Sequence, residues 1–349
     1  MNNFLSTKLH YSDQNTWKAL ASRAQVDDVY FSPEYLKINE SILGGESECF
    51  IYEDDNLIAY YAYIKRPIEG TNLFDIVSPY GFGGFIINNK DSAVRFDNAF
   101  RTHCVESGIV SEFIRFHPFF NNHVYPELKS LEVQLHQAVV QVDYTQPNFD
   151  LNHTVNKEVR KKIRKAQNNQ LQVVEDSHHQ YYKDFIQLYH QTMDSKQAAQ
   201  FYFFDERFFS DLQTYLENSA LLLAAIYNEQ LIGGLLILFG DNYAYNFLSC
   251  SDPRYLALGT NDLLQYCALD WAYKNGKKKY LLGGGLKGED SLFKYKARFS
   301  SGRSDFYIGR RIHLLEAYDD LCRQRIQQQN TNPTEFYTRS WFPLYRSES

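Results

Sequence analysis

The sequence has 349 residues, 44% of them hydrophobic and 16% aromatic, which is typical of a globular protein with two ordinary domains or one large domain. The net charge of -6 and the pI near 5.9 argue against a general nucleic-acid-binding protein and against a DNA partner, although a local basic patch is compatible with them. The five cysteines are scattered and form no CxxC pair, which argues against a metal site, a redox motif or a disulfide framework.

The N-terminal stretch "MNNFLSTKLHYSDQNTW" has no charged start followed by an apolar run, so it predicts no signal peptide. The longest apolar stretch, "LIGGLLILFG" from Leu231, is too short to span a bilayer. We therefore expect a cytoplasmic protein without an integral membrane segment.

The first half of the chain predicts a hairpin, a further strand, a helix and another strand. "FIYEDDNLIAYYAYI" (Phe50 to Ile64) indicates two strands joined by a charged turn, and "FDIVSPYG" indicates the next strand. Phe96, Phe100 and Cys104 form one apolar stripe of a helix that Gly108 ends, and "IVSEFIRF" follows as a strand.

A basic amphipathic helix, "VNKEVRKKIRKAQNN", separates the two halves. Its apolar stripe consists of Val155, Val159, Ile163 and Ala166. Its other faces carry six cations: Lys157, Arg160, Lys161, Lys162, Arg164 and Lys165. A solvated helix opening a second domain explains this pattern, and a contact with phosphate or RNA is the alternative.

The second half repeats the order of elements of the first. "AIYNEQLIGGLLILF" (Ala225 to Phe239) predicts a hairpin, "YAYNFLSCS" a strand, "GTNDLLQYCALDWAYKNG" a helix and "KKYLLGGG" a final strand. Thr260 or Asn261 is the expected N-cap of the helix, and Gly276 is expected to end it. The repeat favours two related α/β (α+β) domains at residues 1–150 and 151–330, followed by a tail at 331–349. Trp341, Phe342 and Tyr345 call for burial of that tail against the first domain.

Four motifs in one order give the chain a resemblance to a known family. They are "SPYGFGG" from Ser78, "EFIRFHP" from Glu112, "VRKKIRKA" from Val159 and "LLGGGLKGEDSLFKYKARFSSG" from Leu281. Between about residues 20 and 345, the chain resembles the Fem-like branch of the GNAT acyltransferase superfamily. The resemblance implies two tandem GNAT-like domains, each a mixed, mostly antiparallel sheet flanked by helices, with acceptor binding in the first and the donor and catalysis in the second. It implies a donor that is either acyl-CoA or aminoacyl-tRNA.

In the acceptor domain, Tyr80, Gly81 and Gly83 of "SPYGFGG" are expected to let the backbone approach a ligand. Arg115 provides a planar, five-donor fork for a phosphate or carboxylate. His117, two residues later, is a candidate catalytic residue, with a structural role as the alternative.

In the donor domain, the stretch Arg254-x-x-Ala257-x-Gly259-Thr260 resembles the loop on which GNAT enzymes hold the pyrophosphate of acyl-CoA. Backbone N–H groups at a helix N-terminus bind anionic oxygens, so Arg254, Gly259 and Thr260 are candidate donor ligands. Alanine in place of the first glycine crowds this approach, and an ordinary turn is the alternative.

The strand that ends in Gly283, Gly284 and Gly285 precedes a helix bearing Lys296 and Arg298. Acyl transfer to an amine passes through a tetrahedral oxyanion, and stabilising that charge is usually the largest catalytic effect. The motif of the resemblance selects Lys296 for this role. The three glycines and Arg298 are expected to contact substrate, while a lysine that only extends from a core stripe is the alternative.

These residues predict an acyltransferase that forms an amide on a cell-envelope precursor or an aminosugar, by direct attack of the amine on the donor. The alternatives are an aminoacyl-tRNA-dependent peptidoglycan bridge enzyme acting on a lipid-linked acceptor, and a non-catalytic sugar- or peptide-binding module.

Overall fold

The structure, a computed structural model, describes residues 5–54, 57–88, 93–125, 127–128 and 130–347. The strands in this part of the chain are β1 (Leu5–His10), β2 (Glu46–Asp54), β3 (Leu57–Pro67), β4 (Phe74–Val77), β5 (Gly84–Ile87), β6 (Ile109–Arg115), β7 (Glu132–Asp143), β8 (Gln172–Glu175), β9 (Ala220–Tyr227), β10 (Gln230–Phe239), β11 (Tyr243–Ser251), β12 (Lys279–Gly283) and β13 (Arg303–Ile312). The α-helices are α1 (Gln14–Arg23), α2 (Pro33–Leu43), α3 (Ala93–Glu106), α4 (Leu151–Thr154), α5 (Lys157–Asn168), α6 (Tyr182–Ser195), α7 (Glu206–Tyr215), α8 (Thr260–Lys274), α9 (Ser291–Ala297), α10 (Leu315–Gln329) and α11 (Pro333–Tyr337).

The chain forms two compact units. The first unit contains Met1–His136 and Phe306–Ser349, and the second contains Gln137–Asp305. These boundaries differ from those at 150 and 330 in the sequence prediction, because the chain passes between the units within β7 and again within β13. Domain boundaries usually lie in exposed linkers, and both of these crossings lie inside strands, so the search for a linker placed the boundaries elsewhere.

In the first unit the strand order is β1-β2-β3-β4-β6-β13, and β5 pairs with β3. The pairs are antiparallel except for β4 and β6, which are parallel and are connected through α3. The predicted hairpin is formed by β2 and β3, while Asp55 and Asn56 of its expected charged turn lie outside the described residues.

The second unit repeats this order as β8-β9-β10-β11-β12-β7. Here β11 and β12 are the parallel pair, connected through α8, and the other pairs are antiparallel. The predicted fold class is confirmed: each unit has a mixed, mostly antiparallel sheet flanked by helices.

The apolar stripes predicted from the sequence face the cores of the two units. In the first unit, Phe96, Phe100 and Cys104 of α3 are buried in a cluster with β2, β3 and β6. In the second unit, the stripe of α5 is buried together with Leu264 and Ala268 of α8. Burial of apolar side chains at helical spacing is therefore what holds α3, α5 and α8 on their sheets.

The N-cap predicted for α8 is wrong. Gly259 occupies that position with φ +85°, and neither Thr260 nor Asn261 caps the helix. The Thr260 hydroxyl instead donates to the carbonyl oxygen of Tyr255, 3.2 Å away. Gly276 follows the helix in the left-handed conformation (φ +68°), which confirms its predicted role.

The C-terminal segment belongs to the first unit. The Tyr345 side chain is buried, and its hydroxyl lies 2.8 Å from the hydroxyl of Ser111 and 3.1 Å from the carboxylate of Asp75. Trp341 is 59% exposed, so the expectation that it requires burial is wrong. The polar anchor of Tyr345 and the apolar cluster around Tyr318 hold the segment without it.

Three further observations concern the described residues as a set. None of the helices among them is both long enough and apolar enough to cross a membrane. Among the same residues, no group of three or more histidine, cysteine, aspartate or glutamate side chains is arranged to hold a metal ion. All five cysteines are free thiols.

Candidate active site

The strand pairing of β12 in the second unit stops near the C-terminal end of this strand. The parallel ladder between β11 and β12 extends from Tyr243 to Tyr245 on the β11 side and stops at Leu281 on β12. The antiparallel ladder with β7 ends at Gly283, which pairs with Val140 after a register shift. The glycines that follow therefore leave the sheet, and their carbonyl groups become available to side chains.

The helix that carries the candidate lysine starts immediately beyond these glycines. Asp290 is the N-cap of α9, and its carboxylate accepts hydrogen bonds from the backbone N–H groups of Phe293, Leu286 and Lys287 at 2.9, 2.7 and 3.2 Å. The bond from Phe293, helped by the others, lowers the pKa of Asp290. One carboxylate thus shapes the whole turn between the glycines and α9.

Lys296 points back from α9 onto the glycines. Its ammonium group donates to the carbonyl oxygen of Gly284 over 2.8 Å. Burial lowers the pKa of Lys296 to about 8, against a smaller opposing effect of Asp290. A Cβ on Gly283, whose φ is +88°, would lie 3.1 Å from this nitrogen. The glycine is thus needed both for the backbone conformation and for the approach of the ammonium group.

The next two glycines are also enclosed by protein. A Cβ on Gly284 would lie 2.6 Å from Nε2 of Gln137, and one on Gly285 would lie 2.3 Å from Oδ1 of Asp290. Nε2 of Gln137 donates to the carbonyl oxygen of Gly285 at 3.4 Å. Sequence reasoning missed Gln137, because a single glutamine on a strand belongs to no motif.

Arg298 connects α9 to the start of α8. Its guanidinium lies 3.4 Å from Asp262 and 4.9 Å from the centre of the Tyr295 ring. The Tyr295 hydroxyl donates to the carbonyl oxygen of Asn261 at 3.0 Å. In this arrangement Arg298 neutralises a buried carboxylate in the first turn of α8.

The candidate donor loop is occupied by other protein groups. Arg254 forms a bidentate ion pair with Asp252, with contacts of 2.6–3.0 Å. A Cβ on Gly259 would lie 3.1 Å from the carbonyl oxygen of Lys162, so α5 covers this side of the loop. The Lys162 ammonium lies 3.5 Å from Asp262. Two carboxylates and a packed helix therefore surround the position at which a pyrophosphate was expected.

The glycine loop of the first unit is tightly packed as well. The Arg115 guanidinium donates to the carbonyl oxygen of Gly81 at 2.7 Å and stacks on Phe306. A Cβ on Gly81, whose φ is +98°, would lie 2.3 Å from the ring of Tyr30. Gly83 donates to the carbonyl oxygen of Arg115 at 2.7 Å. The backbone N–H of Tyr80 donates to the side chain of Asn39 at 2.7 Å.

His117 lies in an aromatic shell of the first unit. Its surroundings include Tyr30, Phe31, Phe82, Phe119 and Phe120. It is 1% exposed, and burial lowers its pKa well below the ordinary value. Nδ1 accepts the backbone N–H of Phe119 at 3.1 Å, and Nε2 lies 3.8 Å from Asp28. Since both ring nitrogens face protein groups, this geometry favours a packing role over proton transfer.

The candidate residues thus form one group in the first unit and one in the second, in addition to the donor-loop residues Arg254, Gly259 and Thr260 at the start of α8. The first unit brings Tyr80, Gly81, Gly83 and Arg115 together beside His117. The second unit brings the glycines and Lys296 together, with Arg298 on the α8 side of α9. Gln137, Asp262 and Asp290 complete the second group, and only the cap position of Asp290 gives a signal in the sequence.

Comparisons with known proteins agree with this architecture. Residues 154–297 match the family described as "Acetyltransferase (GNAT) domain", a stretch that includes the glycines and Lys296. The structure is similar to the crystal structure of FemX, with 11% identity, a TM-score of 0.69, and coverage of 90% of this chain and 99% of that chain. It is also similar to L-PGS from Bacillus licheniformis, with 12% identity, a TM-score of 0.56, and coverage of 86% and 92%.

A third similar structure is the C-terminal domain of a putative lysylphosphatidylglycerol synthetase from Agrobacterium fabrum, with 13% identity, a TM-score of 0.55, and coverage of 88% of this chain and 96% of that chain. No curated protein matches the chain by sequence. At these identities the likeness of the three structures concerns the fold, and the family match concerns the domain. Residues 154–297 of this chain therefore match a GNAT-type acetyltransferase domain, and the fold is similar to that of FemX.

Proposed function

We propose that this chain forms an amide by transferring an acyl group from an activated donor to the amino group of a cell-envelope precursor or an aminosugar. The observation that carries the proposal is the half-buried residue Lys296, whose ammonium group is held 2.8 Å from the Gly284 carbonyl oxygen just beyond the last paired residue of β12. A fixed cation at this point can meet the negative charge that develops on an acyl oxygen.

The reaction needs little more than positioning and charge. The lone pair of the amine attacks the acyl carbon, and the carbonyl oxygen becomes an oxyanion. An ammonium group has three N–H donors, so one bond to Gly284 leaves donors of Lys296 for that oxyanion. When the intermediate collapses, the bond to the leaving group breaks and the amine nitrogen loses its proton. The leaving group departs as the thiol of CoA or as the terminal hydroxyl of tRNA.

The surroundings of Gly259 favour aminoacyl-tRNA over acyl-CoA as the donor. The cations at this loop are already paired with carboxylates, Arg254 with Asp252 and both Lys162 and Arg298 with Asp262, so a pyrophosphate would have to displace these ion pairs. The exposed cations of α5 offer an alternative place for the phosphates of an RNA backbone. The fold shared with a putative lysylphosphatidylglycerol synthetase supports the same choice, because that name denotes transfer of an aminoacyl group.

A donor screen tests the proposal. Single-turnover assays with charged tRNAs and with acyl-CoAs, each with amine acceptors, should give amide product with a charged tRNA. Product from acyl-CoA alone would overturn the choice of donor while leaving amide formation intact. A chain that binds an acceptor tightly but forms no product with any donor would instead be the non-catalytic binding module.

The cations of α5 provide a second test of the donor. Lys157, Lys161 and Arg164 are exposed, and replacing all three with glutamine should weaken tRNA binding. Each lost phosphate contact should reduce the slope of log K against log salt by about 0.7–0.9. Filter binding at several salt concentrations measures this slope. The matched control is Lys183→Gln with Arg207→Gln, exposed cations of α6 and α7, which should leave the slope unchanged.

A further inference from the structure

Gln137 lies directly against the glycines that hold Lys296. It is a half-buried residue of β7, and Nε2, Cδ and Oε1 of its side chain lie 2.6, 2.9 and 3.3 Å from the position of a Cβ on Gly284. All three atoms at the end of the side chain thus lie near the space that a Cβ of residue 284 would fill, which means that the amide packs against Gly284. Any residue larger than glycine at this position would displace it.

The amide of Gln137 continues the β-ladder where the backbone ladder stops. The last pair between β12 and β7 joins Gly283 and Val140. Beyond it, the Gly284 carbonyl accepts from Lys296 at 2.8 Å and the Gly285 carbonyl accepts from Gln137 at 3.4 Å. Two consecutive carbonyl groups are therefore held by side chains rather than by a neighbouring strand.

Restraining this backbone matters because glycine has the largest conformational freedom of any residue. Gly284 and Gly285 follow the last paired residue of β12, and without side-chain contacts they would sample many orientations of the Gly284 carbonyl. The direction of that carbonyl determines where the ammonium group of Lys296 points. A second anchor one residue further along is what a pre-organised oxyanion donor requires.

We propose that Gln137 is a positioning residue of the acyl transfer, which holds the Gly284–Gly285 backbone so that Lys296 faces the reacting carbonyl. This inference rests on the proposed function. It adds a residue 148 positions away in sequence from its hydrogen-bond partner Gly285, and no motif includes it.

The test compares Gln137→Leu and Gln137→Asn with the parent protein. Leucine has no donor, and the asparagine side chain is one methylene too short to keep the bond to Gly285. Both variants should lower kcat about five- to tenfold, the equivalent of one ordinary hydrogen bond, with little change in KM. A looser Gly284 carbonyl also stabilises the charged amine less, so the alkaline limb of the pH–rate profile should move to lower pH.

Gln141→Leu is the matched control. Gln141 lies on the same strand and likewise donates its side-chain amide to a backbone carbonyl, that of Arg303, at 3.0 Å. Its loss should lower the melting temperature without moving the alkaline limb. NMR titration of lysine labelled at Cε gives the shift of the Lys296 titration independently of activity, and Gln137→Asn serves for this measurement if Gln137→Leu does not fold.

The outcomes separate this inference from the proposed function. Normal kcat and an unmoved Lys296 titration in both Gln137 variants would overturn the role of Gln137, even if Lys296 proves essential. Full activity of Lys296→Met would instead overturn the role of Lys296 in the transfer, and a lack of amide product with every donor would overturn the proposed function. A shifted Lys296 titration in the Gln137 variants would still establish the structural coupling in either case.

Discussion

At the scale of single residues, the environment of Lys296 explains why a chain would end a buried strand with three glycines. Gly283 has a positive φ and leaves room for the ammonium group, Gly284 supplies the carbonyl that holds it, and Gly285 packs on the cap of α9. The glycines therefore shape the surroundings of a cation. In the sequence they were expected to admit a substrate, and the contacts show protein groups at each of them.

Replacing Lys296 with methionine should remove the charge and keep most of the packing. We expect kcat to fall about 10²–10³-fold, because an oxyanion donor acts mainly in the transition state. Affinities for donor and acceptor should change far less. Lys294→Met is the control: Lys294 is exposed on the same helix, and a helix turns about 200° over two residues, so its loss should leave kcat nearly unchanged. Near-normal turnover of Lys296→Met with a lower melting temperature would show a purely structural lysine.

The pH dependence of kcat provides a second prediction for Lys296. Its pKa of about 8 means that the oxyanion donor becomes neutral above that pH. In steady-state assays we expect kcat to decline above pH 8, approaching tenfold per pH unit. A rate that rises through pH 8 would contradict this role and would indicate that the neutral amine is the active form.

The contribution of Lys296 to the stability of the fold should rise with pH over the same range in which kcat falls. In the unfolded chain Lys296 regains its ordinary pKa, so between about pH 8 and 10.5 the unfolded state binds more protons than the folded state. The contribution of Lys296 to the free energy of unfolding therefore rises with pH across this window, by up to roughly 3 kcal/mol. Since buried tyrosines and cysteines act in the other direction, the quantity to measure is the difference between parent protein and Lys296→Met.

At the scale of elements, the turn before α8 shows how a glycine can be required by packing rather than by a ligand. Gly259 has φ +85° and lies against the carbonyl oxygen of Lys162 on α5. The structure therefore places α5 where a free anion-binding face was expected. The carboxylate of Asp262 already lies in the first turn of α8, where the helix dipole favours a negative charge.

Gly259→Ala should destabilise the fold more than Gly276→Ala. Both glycines have positive φ, so each substitution costs about 1 kcal/mol of backbone strain. A Cβ on Gly276 meets nothing within 4 Å, whereas one on Gly259 meets the Lys162 carbonyl at 3.1 Å. Thermal or urea unfolding should show the larger loss for Gly259→Ala, with donor KM unchanged in the folded protein. A raised KM for acyl-CoA at full stability would instead support the pyrophosphate site.

At the scale of the whole molecule, the two units repeat one strand order, and the histidines with a lowered pKa lie in the first unit. The first unit encloses a charged cluster in which Arg311 lies 2.8 Å from Glu112 and also pairs with Asp97. Burial raises the pKa of Glu112 despite the opposing charge of Arg311. Burial also lowers the pKa of His313 to about 3.

Acid should therefore open the first unit before the second. Four histidines of the first unit have lowered pKa values, mainly through burial: His103, His117, His136 and His313. Below about pH 6.5 the unfolded state binds protons that these folded histidines do not, so stability falls with pH. The raised pKa of Glu112 acts against this loss of stability, but it is one carboxyl group against four histidines. Hydrogen exchange between pH 7 and 5 measures each unit separately, and earlier loss of protection in residues 137–305 would contradict the prediction.

The sequence by itself determined the elements and their repetition. The apolar runs of the strands, the stripes of α3 and α5, and the glycine after α8 are local patterns, and burial follows from them directly. The same patterns repeat in both halves, so the fold class could be predicted without coordinates. Lys296 could be selected because it belongs to the motif that carries the family resemblance, and that motif begins within 15 residues of the glycines in the chain.

Only the tertiary structure decided which groups meet around these elements. The contact between Gln137 and Gly285 spans 148 residues, and Asp262 meets Lys162 and Arg298 from two other helices. Both depend on strand pairing and helix packing across the whole second unit, and neither leaves a periodic trace in the sequence. The same holds for the unit boundaries inside β7 and β13, since these boundaries lie within strands and not in a linker that composition could reveal.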